Sequence, residues 1–158
     1  MKTTIRRATQ GDERALVELN SFVQAMHADH VPSLFKKPDP NEFLAWFKSA
    51  LGQENVQVWL AEEEGKGVGY VSVTLQERAE KPFCHQRRYI EIDAIAVRAD
   101  KQRTGVGRQL IEHVLKIAVA EGVPEVELSC WCFNQGAQGA FGRLGFSPRW
   151  TRFWRSVP

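Results

Sequence analysis

The chain has 158 residues, of which 43% are hydrophobic and a quarter are charged, and its formal net charge is +2. This length suits a single domain with a real core, and the composition excludes a disordered or fibrous protein. The charge is too small to indicate nucleic-acid binding, and no apolar run approaches the roughly 20 residues that cross a bilayer. We therefore expect one soluble, cytoplasmic domain spanning residues 1–158 that binds neither nucleic acid nor membrane.

The three cysteines, Cys84, Cys130 and Cys132, indicate free thiols in a reducing compartment, because no secretory signal precedes them. Cys130 and Cys132 would share one face of a strand, but no second Cys/His pair has the spacing of a metal site. We expect both side chains to be buried, and we predict no bound metal.

The first half of the chain predicts a strand, two helices and a hairpin. The helices are marked by N-cap residues before apolar residues at helical spacing, and the hairpin by two β-rich runs around a polar glycine turn. In chain order these are a strand at 4–7, a helix capped by Asp12, a helix opened by Asp39 and Pro40 that ends near Leu51, and paired strands at 56–61 and 68–75.

The second half alternates strands and helices. A polar loop spans residues 76–87, and then come a strand at 89–97, a glycine turn, an amphipathic helix at 106–120, a strand at 126–131, a short helix at 134–144 and an aromatic-rich strand at 148–154. This order predicts an α/β fold with a mixed, mostly antiparallel sheet of six to seven strands and about four helices.

The glycine turn is Gln102-Arg103-Thr104-Gly105-Val106-Gly107, at the junction between a strand and a helix. Free backbone amides at a helix start, together with the helix dipole, are suited to gripping a phosphate. A P-loop would require Gly-Lys followed by Ser or Thr, whereas Arg108 follows Gly107, and a dinucleotide fingerprint would require a third glycine. The turn therefore predicts a different phosphorylated cofactor.

Two elements together resemble the Gcn5-related N-acetyltransferase superfamily. The first is Ile95-Ala96-Val97 at a strand end followed by Gln102, Gly105 and Gly107 at a helix start, and the second is Asn134 and Ala137 followed by a Gly145-Phe146 ending. The two elements occur in the order of that family, and the resemblance covers nearly the whole chain.

The resemblance implies acetyl-coenzyme A as co-substrate, held in a cleft where the strand at 89–97 splays from the strand at 126–131. Backbone groups along the strand end would bond the pantetheine arm, the turn amides would hold the pyrophosphate, and the second element would contact the cofactor arm. The cofactor-binding residues implied in this way are Ile95, Ala96, Val97, Gln102, Arg103, Thr104, Gly105, Val106, Gly107, Arg108, Asn134 and Ala137.

The same resemblance implies direct transfer of an acetyl group to a primary amine of a small molecule or peptide. Glu91 and Asp93 match positions at which branches of the family carry an acidic residue, and strand alternation places both on one face with Ile95, aimed at the acetyl group. Either carboxylate could instead only bind an arginine or a backbone amide, and a water-linked relay would also satisfy the chemistry.

Phe141 occupies the position at which the family carries a tyrosine acid, so that water, Tyr89, Tyr70 or Cys132 would have to assist the leaving thiolate. A catalytically silent acyl-CoA-binding or sensing domain is therefore the alternative function. The acceptor itself is unknown, and two copies of the chain could pair as a homodimer. Aromatic and histidine residues that could line the acceptor cleft are His27, His30, Phe35, Trp46, His85, Trp150 and Trp154.

Overall fold

The computed structural model describes residues 2–158, which fold into one five-stranded sheet with helices on both faces. The strands are β1 (Thr4–Arg7), β2 (Val56–Glu63), β3 (Lys66–Arg78), β4 (Arg87–Val97) and β5 (Glu125–Leu128). The helices are α1 (Glu13–His30), α2 (Pro40–Ala50), α3 (Val106–Ala120) and α4 (Gln135–Arg143), with a short 3-10 turn at Ala99–Lys101. Sheet order follows chain order, and only the β4/β5 pair is parallel.

The central hairpin forms as the glycine turn between its strands predicts. Glu64 and Gly65 both have positive φ angles, 51° and 75°, and Glu63 pairs with Lys66 across them. Two residues of positive φ match the right-handed twist of the flanking strands, which favours a tight reversal. β3 then runs to Arg78 and β4 begins at Arg87, so the predicted loop at 76–87 is shorter, at residues 79–86.

The two predicted helix starts differ in how they are capped. Asp39 caps α2 as expected, because its carboxylate accepts hydrogen bonds from the amides of Asn41 and Glu42. Asp12 precedes α1 but makes no side-chain cap. Its carboxylate instead pairs with Arg6 of β1, 2.8 Å away, and accepts from the Thr9 amide, so it fastens α1 to the edge of the sheet.

Each sheet face has its own core. One core contains Val71, Val73, Ile90 and Ile92 packed against Leu110, Ile111 and Val114 of α3. The other contains Leu60, Tyr70 and Ala96 packed against Leu16 of α1 and Phe47 of α2. The sheet therefore has an α3 face, which is covered by a helix, and an α1/α2 face, on which the functional side chains described below lie.

The predicted strand at 148–154 is wrong, and the sheet has five strands rather than six or seven. Residues 146–158 are irregular, and Trp150, Phe153 and Trp154 are largely exposed. The segment has aromatic residues suited to a strand, but a strand requires a hydrogen-bonded neighbour. Within residues 2–158 it has none, and Arg149 holds it to β5 only by ion pairs with Glu125 and Glu127.

None of the helices in residues 2–158 combines the length and the apolar character that crossing a bilayer requires.

Candidate active site

A gap opens in the sheet where β4 extends beyond the end of β5. β5 pairs with only four residues of β4, from Tyr89 opposite Glu125 to Ile92 opposite Leu128. β4 continues to Val97 with β3 as its single neighbour in the described structure. Residues 93–97, here called the free edge of β4, therefore face an opening between the two strands.

The peptide groups along the free edge alternate in direction. The Arg98 amide donates to the Val68 carbonyl at 2.9 Å, and in an antiparallel pair every second residue points its peptide groups toward the neighbour. Ala94 and Ala96 therefore face β3, whereas Ile95 and Val97 face the gap. Of the three predicted residues of the strand end, two turn backbone groups to the gap and Ala96 does not.

The glycine turn follows directly and supplies a run of free amides. The backbone N–H groups of residues 103–108 have no hydrogen-bond partner within the described chain, and the first amide of this region to be paired is that of Gln109, which donates to the Gly105 carbonyl. Gly105 has a φ of 98°, which disfavours any residue with a side chain. At Gly107 an added Cβ would meet only Val97, at an ordinary 3.6 Å, so the protein itself leaves room there.

Three of the four cations near the turn are already paired with carboxylates. Arg98 contacts Asp100, Lys101 contacts Glu63 at 2.6 Å, and Arg108 contacts Glu112 at 2.7 Å. Arg103 has no ion pair in residues 2–158, and its φ of 62° is unusual for a residue with a side chain. Arg103 is therefore the cation of this group that is available to an incoming anion.

A β-bulge lies at Asp93, between Glu91 and the rest of the free edge. Val73 pairs with Ile92 while Ser72 pairs with Ala94, so Asp93 is an extra residue in β4. Ile92 and Ile95 consequently both pack into the core of the α3 face. The expectation that Glu91 shares a face with Ile95 is wrong, because the bulge puts Glu91 on the α1/α2 face together with Ala94.

Asp93 and Glu91 are each held by a polar side chain of β3. The Thr74 hydroxyl donates to Asp93 Oδ2 at 2.6 Å, and Gln76 Nε2 donates to Glu91 Oε2 at 3.1 Å. Although much of the Asp93 residue is accessible, partial burial of its carboxyl raises the pKa of Asp93, and the charge of Glu91 acts in the same direction against the Thr74 bond. The two carboxyls thus form a pair in which Asp93 retains a proton to higher pH than a free aspartate.

Asn134 begins α4 beyond the gap. Its side-chain oxygen accepts a hydrogen bond from the Ala137 amide at 3.1 Å, which is an N-cap. Asn134 and Ala137, which the resemblance assigned to the cofactor arm, are therefore hydrogen-bonded to each other through the Asn134 side-chain oxygen. This N-cap alone explains why asparagine is suited to the position, without any ligand.

An aromatic cluster joins the end of α1 to the loop after β5. His30 stacks on Phe133 with ring centroids 4.2 Å apart, His27 stacks on Phe35 at 4.9 Å, and Phe35 meets Trp131 edge to face. Burial lowers the pKa of His27, and His30 contributes in the same direction. Trp131 and Phe133 were not among the residues predicted to line the cleft, although the alternation of two aromatic residues at the end of the predicted strand at 126–131 was a signal for them.

The other predicted cleft residues lie elsewhere. Trp46 packs on Phe47 within α2, His85 is exposed in the loop at 79–86, and Trp150 and Trp154 are exposed in the irregular end of the chain.

The expectation of buried cysteines is wrong. Cys132 is exposed and Cys130 half-buried, because β5 ends at Leu128 and both residues lie in the loop that follows. Within residues 2–158 no three His, Cys, Asp or Glu side chains are grouped so that they could hold a metal ion.

Comparison with known proteins identifies the family. A family model described as "Acetyltransferase (GNAT) family" matches residues 20–146, which is most of the chain. The chain belongs to the acetyltransferase (GNAT) family. Among solved structures, a tetramutant of the BH1408 protein from Bacillus halodurans is similar in fold over 98% of this chain and 99% of its own, with a TM-score of 0.93 and 23% identity.

Two further proteins that are similar to this GNAT chain are named as acetyltransferases. The aminoglycoside N-acetyltransferase AAC(6')-Iy, solved in complex with CoA, has a TM-score of 0.78 and 18% identity over 98% of this chain and 95% of its own. N-acetyltransferase family 8 member 3 of Mus musculus is 27% identical over 96 residues, 61% of this chain and 41% of that protein. The chain thus spans about two-fifths of the length of this curated relative.

Phe141, at the position where the resemblance implies a tyrosine, packs into the core of the α3 face beside Phe146. Tyr70 is buried and its hydroxyl donates to Asn20 Oδ1 at 2.7 Å, and burial raises the pKa of that phenol far above its usual range. Tyr89 is also buried, and its hydroxyl accepts from Arg78 Nε at 3.0 Å. Of the three side chains predicted as alternatives to a tyrosine acid, Tyr70, Tyr89 and Cys132, Cys132 is the exposed one.

Proposed function

We propose that the chain is an acetyl-CoA-dependent N-acetyltransferase that transfers an acetyl group directly to a primary amine. The observation that carries the proposal is the continuity of two features, the free edge of β4 with the peptide groups of Ile95 and Val97 facing the gap, and the run of free amides at residues 103–108. A ligand with a peptide-like arm and a pyrophosphate fits both features at once.

The residues present fit such a ligand in charge and in shape. The arm would bond to Ile95 and Val97 as an added strand does, and the pyrophosphate would lie on the turn amides with Arg103 beside it. The absence of a side chain at Gly105 and Gly107 allows close approach to the backbone. Acetyl-CoA, when bound, supplies an activated thioester carbonyl, and a backbone N–H of the free edge would polarise it.

Glu91 and Asp93 supply the base in this proposal. A lysine-like amine with a pKa near 10.4 costs about 4.6 kcal/mol to deprotonate at pH 7, so a nearby carboxylate or an ordered water that it holds assists the reaction. Asp93 lies at the start of the free edge and Glu91 two residues before it, and both carboxyls are on the face that α3 does not cover. Thr74 and Gln76 each occupy one oxygen, which leaves the second oxygen of each carboxyl for the amine.

A catalytically silent acyl-CoA-binding domain is the second candidate, and Phe141 is the observation that favours it. Phenylalanine has no proton to give, and its ring is partly buried in the core. Tyr70 is committed to Asn20, so within the predicted set the departing thiolate would depend on Tyr89, Cys132 or water.

Thiol release separates the two functions. The purified chain is incubated with acetyl-CoA and a panel of polyamines, aminoglycosides, amino acids and short peptides, and CoA binding is measured by calorimetry on the same sample. Turnover with at least one amine supports the transferase, whereas tight binding without any turnover supports the silent domain.

The carboxylates are tested with Glu91→Gln and Asp93→Asn. We expect each substitution to lower kcat by about 10²-fold or more while the Kd for acetyl-CoA changes less than twofold. A double variant with full activity would remove both carboxylates from the mechanism.

A further inference from the structure

Three cross-strand hydrogen bonds follow one another along the α1/α2 face between β3 and β4. Thr74 bonds to Asp93, Gln76 bonds to Glu91, and the Arg78 Nε donates to the Tyr89 hydroxyl, at 2.6, 3.1 and 3.0 Å. We call these three pairs the polar ladder. Because the β3 members are two residues apart, all three side chains leave the same face of that strand.

The charge of the polar ladder changes sign along its length. Carboxylates occupy the end next to the free edge of β4, and the Arg78 guanidinium occupies the other end. Arg78 is fixed through Nε, and its guanidinium carbon lies 5.9 Å from the centre of the Tyr89 ring. Its two terminal nitrogens have no partner within residues 2–158, so they are free to bind an anionic group as a fork.

The charges next to the polar ladder on β4, β5 and the end of the chain compensate each other. Arg87 contacts both Glu125 and Glu127, and Arg149 contacts the same two carboxylates. These contacts, Arg149 first and Arg87 second, lower the pKa of Glu125 to about 2. The four groups form an ion-pair network of their own, so in this part of residues 2–158 the charged side chains of the polar ladder, Glu91, Asp93 and Arg78, remain available to a ligand.

The spacing of the polar ladder sets the size of a ligand that would use both ends. A strand rises about 3.4 Å per residue, so Arg78 lies roughly 7 Å from the Gln76–Glu91 pair and roughly 14 Å from the Thr74–Asp93 pair. An extended peptide spans at most about 3.5 Å per residue, so a free peptide of two to four residues covers that interval. A polyamine of the same length would instead place a second cation beside Arg78.

We infer that the acceptor is a peptide-like amine that carries an anionic group roughly 7–14 Å from the nitrogen that is acetylated, with the amine at Glu91 and Asp93 and the anion at Arg78. This inference rests on the proposed acetyltransferase function and names its substrate class. Arg78 is a specificity residue here and takes no part in the chemical step.

The test compares two acceptors that differ by one charge. Trialanine with a free carboxylate and its C-terminal amide are acetylated by the full chain under identical conditions. We expect kcat/KM to be about five- to tenfold higher for the free acid, through KM rather than kcat, because one charge-assisted contact at an exposed site is at stake. Arg78→Gln should abolish the preference, and Arg78→Lys should keep part of it.

Arg14→Gln, which removes an exposed arginine of α1, is the matched control and should retain the preference. A purely structural role of Arg78 would weaken both acceptors equally, and equal kcat/KM values in the unaltered chain would overturn the inference. If no amine in the wider panel releases thiol, the proposed function fails instead. Calorimetric titration of the same two tripeptides in the presence of CoA then tests the binding preference for the free acid, because this measurement does not depend on turnover. Equal affinities for the two tripeptides would overturn the inference.

Discussion

Thr74 illustrates how one hydroxyl can shift the titration of a carboxyl, here that of Asp93, which we propose as a base. It donates to Asp93 at 2.6 Å and so favours the ionised form, against partial burial and the charge of Glu91. Thr74→Val removes this donor while keeping the shape of the side chain. The pKa of Asp93 should then rise further above that of an ordinary aspartate.

We expect Thr74→Val to move the acidic limb of the kcat/KM pH profile to higher pH, with little change on the plateau. The measurement is a pH–rate profile of thiol release with saturating acetyl-CoA. Thr4→Val on β1, an edge strand that does not contact β4, is the matched control. An unmoved limb would mean that Asp93 is not the group that titrates.

Arg103 is the residue of the glycine turn whose contribution can be isolated. Its neighbours Arg98, Lys101 and Arg108 are held by carboxylates, and Arg103 is not. Arg103→Ala should raise the Kd for acetyl-CoA about three- to tenfold at low salt, and the effect should shrink at high salt because exposed charges are screened. Calorimetry at two salt concentrations measures it.

Arg14→Ala should leave that Kd unchanged at either salt concentration. An Arg103→Ala variant with the affinity of the original chain at low salt would show that the turn amides hold the phosphates without this side chain.

At the scale of elements, α3 lies close to β3 and β4 because Gly69 has no side chain. A Cβ at this position would lie 2.9 Å from the Ala96 carbonyl oxygen and 3.2 Å from Val106. These are the residues that join the free edge of β4 to the start of α3. The absence of one methyl group therefore lets the strand end and the glycine turn meet in their observed arrangement.

Gly69→Ala should lower the free energy of unfolding by about 1–3 kcal/mol, as overpacking of a tight contact does. Urea denaturation followed by circular dichroism provides the value. Gly67→Ala, two residues away on β3, is the matched control, because its Cβ would meet Leu19 and Leu60 at an ordinary 3.5 Å. Equal losses in the two variants would refute the close-approach argument.

The elements that the sequence predicted well are those fixed by local chemistry. The tight turn at Glu64 and Gly65, the Asp39 cap and the glycine turn before α3 each depend on a few neighbouring residues. The Asp93 bulge depends on register with β3, and the fate of residues 148–154 depends on whether a partner strand is present. Neither dependence is visible in a local pattern, so the position of Glu91 and the strand count were predicted wrongly.

The candidate site shows the same division. The residues of the gap and the turn were predicted because motifs carry them, and their binding roles remain predictions. The polar ladder and the aromatic cluster join residues from distant parts of the chain, such as Phe35 with Trp131 and Arg78 with Tyr89. Such pairs depend on how the strands and helices are arranged in space, and local patterns in a single sequence do not reveal that arrangement.

For the molecule as a whole, His113 links folding to pH. The Nε2 atom of this α3 residue is buried with no hydrogen-bond partner in the described structure. The His113 and Trp59 ring centroids are 4.3 Å apart. Burial, with a smaller effect of Lys116, lowers the pKa of His113 below 6.5. The unfolded chain therefore takes up a proton at higher pH than the folded chain does.

Stability from His113 is fully present above pH 6.5 and falls as pH drops from there to the lowered pKa, with a slope of at most about 1.4 kcal/mol per pH unit. His27 adds a slope of the same sign. We expect His113→Gln to flatten the dependence of the unfolding free energy on pH. Urea denaturation between about pH 5 and pH 8, the range in which histidine titrates, measures this dependence. His85→Gln in the exposed loop should not flatten it, and an unchanged slope in His113→Gln would exclude His113 as the source.

The extra residue at Asp93 also bears on how relatives of this chain are aligned and redesigned. A sequence alignment that counts back from Ile95 assumes a regular strand, and here that count assigns Glu91 to the wrong side of the sheet. Deleting one residue at the bulge would carry Glu91 from the α1/α2 face into the packing against α3. An acidic position in this family is therefore better transferred between proteins by strand register than by its offset from a motif.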